Sequence, residues 1–593
     1  MCGIAGKIIT NSKVETLKTV SEMCEIMSHR GPDNQGVDTI DNVVLGHRRL
    51  SIIDLREEAN MPMYSEDGQY CIVYNGEFYN FKEIRDELKK KGYHFRTESD
   101  TEVLLNAYIE YSENCLSKIN GMFAFAIWDN RKKILFLARD RFGQKPLFYY
   151  KDDNGNFSFA SELKAFTVDK KIKLSYSIES INVYLALGYI LNPATQYEQI
   201  LSIEPATYMV VNEVGKVLNK VKYWDYSKTF ESKIRKNENE IAIELNELLR
   251  QAVYRRMVSD VPIGGFLSGG IDSSAIVSYM KEIHKGELHT FSVGFEQKSY
   301  SELDDANRVA KWLQTKHHGI IVGDKNPIKM LNNALGKYDE LFSDNSLVPM
   351  VEVSKLASKF VKVVLSGDAG DEMFAGYITY KADKILPWVK ALTPGFVKNQ
   401  LGKNRKVISS NKIDWQFKMQ QFFYGSKYDS ATAHYLWRLI YKPEERIKIL
   451  GEEYRELVYD TDPMYTFKKY YDNVKHLDQM DQHLYVDGMT WLPDDILLKV
   501  DRSSMASSIE ARAPFLDIDL VNYASSIPSN LKLKGLNSKY ILKRALKNQI
   551  PDFAIHKKKS GFNSPINMWI QRTESNEFQD FNKYVLNHKN INK

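Results

Sequence analysis

The sequence predicts two domains of different class: an α+β N-terminal unit, then a parallel-sheet α/β unit that ends in a mainly helical part. Three observations carry this expectation. At 593 residues the chain exceeds what one hydrophobic core usually holds. Roughly the first two hundred residues read as short β-prone runs joined by turns. After them the rhythm changes to strand, loop and helix in repetition.

In the first unit, strands are expected at 43–47, 70–74, 122–128, 134–138 and 157–160, each a short apolar or β-branched run bounded by turn residues. Helical stretches near 13–28 and 80–91 interrupt them. The segment 227–237 is charged and weakly patterned, which suits an exposed connection. The junction is expected somewhat before it, giving domains 2–215 and 216–593. Beyond it, a helix at 240–257 leads to the apolar run 261–267, the loop Ser268-Gly269-Gly270 and a helix-like 274–280. The pattern returns with 288–294 before a helix near 301–315, and with 361–365 before Ser366-Gly367-Asp368, which indicates a parallel sheet. The stretch past 400 looks mainly helical, and the tail after Thr573 is polar without clear periodicity.

Bulk properties narrow the function. No apolar run approaches the roughly 18 residues of a membrane span, so no membrane partner is expected. A formal charge of +5, with acidic and basic residues interspersed, does not call for nucleic acid. The N-terminus Met1-Cys2-Gly3-Ile4-Ala5-Gly6-Lys7 lacks the features of a secretory signal, so a cytoplasmic location is expected. Cys2, Cys24, Cys71 and Cys115 form no C-x-x-C pair, so neither a zinc site nor a disulfide framework is expected.

Removal of Met1 would leave Cys2 with a free α-amino group, whose pKa of about 8 lets it act as a base toward its own thiol. Taken alone, a cysteine here reads as a small apolar residue starting a strand. Its companions change that reading: His29-Arg30-Gly31-Pro32-Asp33, Arg49-Leu50-Ser51-Ile52-Ile53-Asp54, Asn75-Gly76-Glu77-Phe78-Tyr79-Asn80 and Glu98-Ser99-Asp100-Thr101-Glu102. In order and spacing this set resembles the class II glutamine amidotransferases. The resemblance implies an Ntn-hydrolase αββα sandwich. It also implies that Arg49 holds the glutamine α-carboxylate and that Asp100 and Glu77 receive its α-ammonium. The Asn75 side chain and the Gly76 N–H would form an oxyanion hole.

Ser268-Gly269-Gly270-Ile271-Asp272-Ser273-Ser274 follows an apolar strand and opens a helix, which sets hydroxyls and free N–H groups where phosphate oxygens can sit. It is neither a Walker loop nor a dinucleotide fingerprint, so hydride transfer is disfavoured. It resembles the pyrophosphate loop of ATP pyrophosphatases, which adenylate carboxylates. A second cluster, 364–372, ends another strand, where open α/β sheets bind ligands. Asp272 and Asp371 brought together there would suit Mg²⁺.

With 494–502 and 510–517, these loops make residues 240–570 resemble the asparagine synthetase domain. The resemblance implies glutamine, ATP and a carboxylate, first of all L-aspartate, as substrates; because ammonium is protonated and not nucleophilic at neutral pH, an enclosed apolar tunnel for ammonia between the two sites is expected. It implies Leu267, Val293, Ser366 and Gly367 along the adenosine and Asp272 and Asp371 on Mg²⁺. It puts Asp368 in place to take a proton from attacking ammonia, and Lys559 on the phosphates or the negative intermediate. Related enzymes are often homodimers. Two departures stand out. Many members carry glutamate at Asp368, and aspartate-specific members bring an arginine to the stretch 341–349, which has none. Amidation of another carboxylate, from the cell envelope or secondary metabolism, is therefore the alternative, with an idle scaffold a remote one.

Overall fold

The computed structural model describes residues 2–10, 12–323, 326–394, 415–558, 564–573, 580–589 and 591. The strands of the first part are β1 (Gly3–Ile8), β2 (Asn34–Ile40), β3 (Val43–Arg49), β4 (Met63–Tyr64), β5 (Tyr70–Phe78), β6 (Gly121–Asp129), β7 (Ile134–Arg139), β8 (Phe148–Lys151), β9 (Phe157–Ala160), β10 (Ile200–Ser202), β11 (Thr207–Asn212) and β12 (Val217–Lys222). They make two six-stranded sheets, ordered β10-β8-β9-β1-β3-β2 and β12-β11-β7-β6-β5-β4. Every pairing is antiparallel.

Side-chain alternation explains how these sheets stack. In β1, Ile4 and Ile8 enter a core with Val73, Ala126 and Leu137 of the other sheet. Ala5, between them, faces Val20, Met23 and Cys24 of α1 (Lys13–Ile26). In β5, Cys71 and Val73 point to that inter-sheet core, while Ile72 and Tyr74 point outward onto Leu88 of α2 (Phe81–Lys90) and Val103 of α3 (Asp100–Tyr111). Both faces of each central strand are buried, giving the four layers αββα that the resemblance implies.

The third sheet is parallel throughout, ordered β15-β14-β13-β16-β17, with β13 (Ile263–Phe266), β14 (His289–Phe295), β15 (Lys316–Val322), β16 (Val363–Leu365) and β17 (Glu510–Arg512). The helix Glu238–Arg256 before it starts on a capping box between Asn237 and Glu240. From β13 the chain turns to β14 on one side and later to β16 on the other. The crevice beyond the ends of β13 and β16 is therefore a topological switch point.

The remainder is mainly helical, as expected, and holds a buried polar network. His434 sits between Asp383 (Nδ1 to Oδ2, 2.7 Å) and Asp487 (Nε2 to Oδ1, 3.0 Å). The other oxygen of Asp487 accepts from the Tyr380 hydroxyl at 2.6 Å and from Arg438 at 2.5 Å. Burial opposes a charge on His434, but the two carboxylates outweigh it and raise the imidazole to about 9. Among the described residues no helix is long and apolar enough to cross a membrane.

Candidate active sites

The first site opens at the start of β1. Cys2 is buried, and its main-chain nitrogen donates to Asn75 Oδ1 at 2.9 Å. That bond fixes the amide of Asn75, because only its oxygen can accept from a nitrogen donor. The Asn75 Nδ2 is then left buried with no hydrogen-bond partner, as a donor kept for a transient oxyanion should be. Next to it, a Cβ on Gly76 would collide with the Met122 carbonyl oxygen of the paired strand β6, so only glycine fits this close approach. Burial pushes the Cys2 thiol up, and the Arg49 charge partly offsets this.

Arg49, Leu50, Tyr74, Gly76, Glu77 and Asp100 line one pocket with Cys2. The Arg49 guanidinium donates to neutral oxygens: Arg56 O at 2.8 Å, Asn60 Oδ1 at 2.7 Å and the Asp54 carbonyl. Its positive charge thus remains available to an incoming carboxylate. Asp100 opens α3, whose N-cap Ser99 accepts from the Glu102 N–H, and its Oδ2 accepts from the Phe78 N–H at 3.0 Å. Burial raises Asp100 to about 6, against the pull of that hydrogen bond. Burial raises Glu77 as well, with Arg512 opposing. Both acids become better partners once an ammonium enters.

The pocket is closed by the other half of the chain. Glu510, on β17, is part of its lining. Its neighbour Arg512 bonds Glu510 at 2.6 Å, approaches Glu77 Oε2 at 3.2 Å, and donates to the carbonyls of Arg256 and Val258. Arg30 joins the halves a second time: Nε donates to the Cys2 carbonyl at 3.0 Å, and the remaining nitrogens meet Glu162 at 3.0 Å and Asp501 at 2.9 and 3.1 Å. Such charges are tolerated in a buried junction because each is matched by an opposite charge. A second small pocket lies beyond, lined by Gln144 and Lys145 of the first part and by Ser366, Asp368, Ala511 and Arg512 of the second.

The second site is the switch-point crevice. Gly269 takes φ +69, and Ser268 and Ser273 brace the turn through their hydroxyls at 3.0 Å. The helix Ile271–Ile283 begins at Gly270 with no side-chain cap, so its first N–H groups remain open to an anion. Gly367 lies against this turn: a Cβ there would stand 2.8 Å from both Asp272 Cβ and Ser273 N. The two loops are thus in contact, and Asp272 and Asp371 converge. Asp368 Oδ2 accepts from the Ser366 hydroxyl at 2.6 Å. Leu267 is buried just past the end of β13, Val293 is buried within β14, and Ser274 is buried in the first helical turn. Lys559 lies outside the described residues.

Sequence reasoning missed several contributors. Lys539 is buried with its Nζ 2.5 Å from Asp272 Oδ2 and 2.7 Å from Asp371 Oδ1, bridging the pair assigned to a metal. Lys557, from the quoted lysine run, donates to the Ser268 carbonyl at 3.1 Å. In the stretch without arginine, Asp344 pairs with Lys499 at 3.0 Å. Arg30, Glu510 and Arg512 stood inside quoted motifs, but nothing local marked their places at the junction.

Two family comparisons match this layout. Residues 1–224 match the glutamine amidotransferase domain family and residues 244–587 the asparagine synthase family. The chain is 34% identical over 593 residues to glutamine-hydrolyzing asparagine synthetase 1 of Bacillus subtilis, covering 98% of this chain and 89% of the relative. It is 31% identical to glutamine-hydrolyzing asparagine synthetase 3 of the same organism, covering 95% and 87%. With a putative glutamine-hydrolyzing asparagine synthetase 2 of Methanocaldococcus jannaschii it shares 37% over 422 residues, covering 67% and 79%. The chain belongs to the asparagine synthase family, with a glutamine amidotransferase domain preceding the synthase domain.

Proposed function

We propose that this chain converts L-aspartate, glutamine, ATP and water to L-asparagine, glutamate, AMP and pyrophosphate, with the two-sheet unit, which runs past the expected junction at 215 to the end of β12 at Lys222, acting as the glutaminase and the parallel-sheet unit after it as the synthetase. One observation carries the reading. On β17, Glu510 lines the Cys2 pocket, while Ala511 and Arg512 line the pocket beside Ser366 and Asp368, so the two constellations share a wall.

In the first site, the α-amino group exposed by loss of Met1 takes the Cys2 proton, and the sulfur attacks the glutamine carboxamide carbon. Asn75 Nδ2 and the Gly76 N–H hold the resulting oxyanion, while Arg49, Asp100 and Glu77 fix the amino-acid end. The C–N bond breaks, the proton leaves with ammonia, and water cleaves the thioester to glutamate. In the second site, an acceptor carboxylate oxygen attacks the α-phosphorus of ATP and pyrophosphate departs toward Ser268–Ser274, Lys557 and Lys559. Ammonia attacks the acyl carbon, Asp368 takes its proton, and AMP leaves. Ammonium is not a nucleophile, so ammonia travels enclosed along the β17 wall.

Asp272 and Asp371 would hold Mg²⁺, which when bound supplies positive charge against the triphosphate and departing pyrophosphate. The shared Lys539 ammonium supports this, because both carboxylates already converge on one cation. A cytoplasmic homodimer is the form we propose.

The test is pyrophosphate release from ATP, Mg²⁺ and glutamine with and without L-aspartate, with mass detection of asparagine. Aspartate-dependent release with asparagine formed supports the reading. Glutamate formation without aspartate dependence moves the acceptor to another carboxylate, the alternative favoured by the arginine-free stretch 341–349. No glutamate at all refutes the glutaminase.

A further inference from the structure

The backbone that shapes the carboxylate end of the glutamine pocket is held from outside its own domain. Residues 51–54 follow Arg49, and their carbonyls at Ile53 and Asp54 accept from its guanidinium. Asp260, three residues before β13, grips this turn twice: its Oδ2 accepts from the Asp54 N–H at 2.8 Å, and its own N–H donates to the Ile52 carbonyl at 3.0 Å. Asp33 Oδ2 accepts from the Ser51 N–H at 2.8 Å and also from Lys362 Nζ at 2.8 Å. Lys362 immediately precedes β16, and its N–H donates to the Pro262 carbonyl at 3.2 Å, which links the two tethers.

β13 has four residues and β16 three, and they end in the nucleotide loops around Ser268 and Gly367. At roughly 3.3 Å per residue, these strands set the tethers only about 10–13 Å from the nucleotide loops. We propose that Asp260 and Lys362 are positioning residues for the glutamine site, fixing the 51–54 turn, and through it Arg49, to the roots of the strands that carry the nucleotide loops. The proposal rests on the reading of the Cys2 pocket as a glutamine site. Its consequence is reciprocal: filling the nucleotide crevice changes glutamine affinity, and glutamine changes ATP affinity by the same factor.

Asp260→Ala, Asp260→Asn and Lys362→Met in the full chain separate this from general stability. Glutamine KM and kcat are read from glutamate release, with and without ATP and acceptor. Synthesis with an ammonium salt replacing glutamine is followed by pyrophosphate. Asp260→Ala should raise glutamine KM about two- to tenfold, the worth of one ordinary hydrogen bond. kcat and ammonia-dependent synthesis should stay within about twofold. Asp260→Asn keeps an acceptor oxygen and should recover most of the parent KM. Lys362→Met should shrink the effect of ATP on glutamine KM. Unchanged KM in every variant, or ammonia-dependent synthesis falling in parallel, overturns the proposal. Parent enzyme that releases no glutamate refutes the glutaminase reading instead, and the proposal with it.

Discussion

Replacing Asn75 by alanine tests the oxyanion role proposed for its Nδ2. Two effects follow from the geometry. The Cys2 nitrogen loses the acceptor it meets at 2.9 Å, which costs about 1–3 kcal/mol of stability if no water replaces it. The Nδ2, which has no partner in the resting pocket, is lost only where negative charge develops. Deleting one such donor costs about 10²–10³ in kcat, or roughly 2.7–4 kcal/mol of barrier. Arg49 and Asp100 keep their partners, so glutamine KM should change little. The assay is glutamate release at saturating glutamine beside pyrophosphate release with an ammonium salt. Glutamine-dependent turnover should collapse while ammonia-dependent synthesis continues, because the second site does not use Asn75. A loss below about tenfold, or both activities falling together, refutes the assignment.

Asp100 must be ionised to receive an ammonium, and burial raises it to about 6, so kcat/KM for glutamine should climb as pH rises through that value. Asp100→Asn should flatten this limb and raise KM. His434 is raised from 6.5 to about 9, so its contribution, on the order of 3 kcal/mol, is complete below pH 6.5 and disappears as pH rises through about 9. Urea unfolding across that window should show the decline, and His434→Gln should be less stable at neutral pH but lack the slope. Lys539→Met leaves Asp272 and Asp371 facing each other without their shared cation, so Mg²⁺ should raise its Tm more than that of the parent. ATP-dependent pyrophosphate release should fall in the same variant, with glutaminase activity retained.

The legible parts of the sequence were those where one segment contains its own explanation. β5 alternates between two cores, and the strand, glycine-rich turn and helix at Ser268 state their geometry locally. β2 was not legible: Asn34 to Ile40 shows no apolar alternation and is placed by pairing with β3 and by contacts of Gln35 and Val37 with α1. β17 was harder still, since two of its three residues are charged. Glu510 and Arg512 sit in a buried strand because partners from 77 and 256–258 satisfy them. Lys539 has a left-handed φ of 55 and no motif around it, so its place between two carboxylates could come only from the assembled fold. The rest of the Ser268–Ser274 loop was legible, because glycine spacing and strand ends fix it. The lysine run was legible as a basic patch, and among its described members Lys557 touches the loop.

The wall supplied by β17 also orders events during synthesis on the ribosome. The N-terminal sandwich emerges first and can begin to fold while most of the chain is still unmade. At that stage Glu510 and Arg512 do not yet exist, Glu77 has no counter-ion and the glutamine pocket stands open to water. The wall of the Cys2 pocket is therefore completed only once residue 510 has been translated.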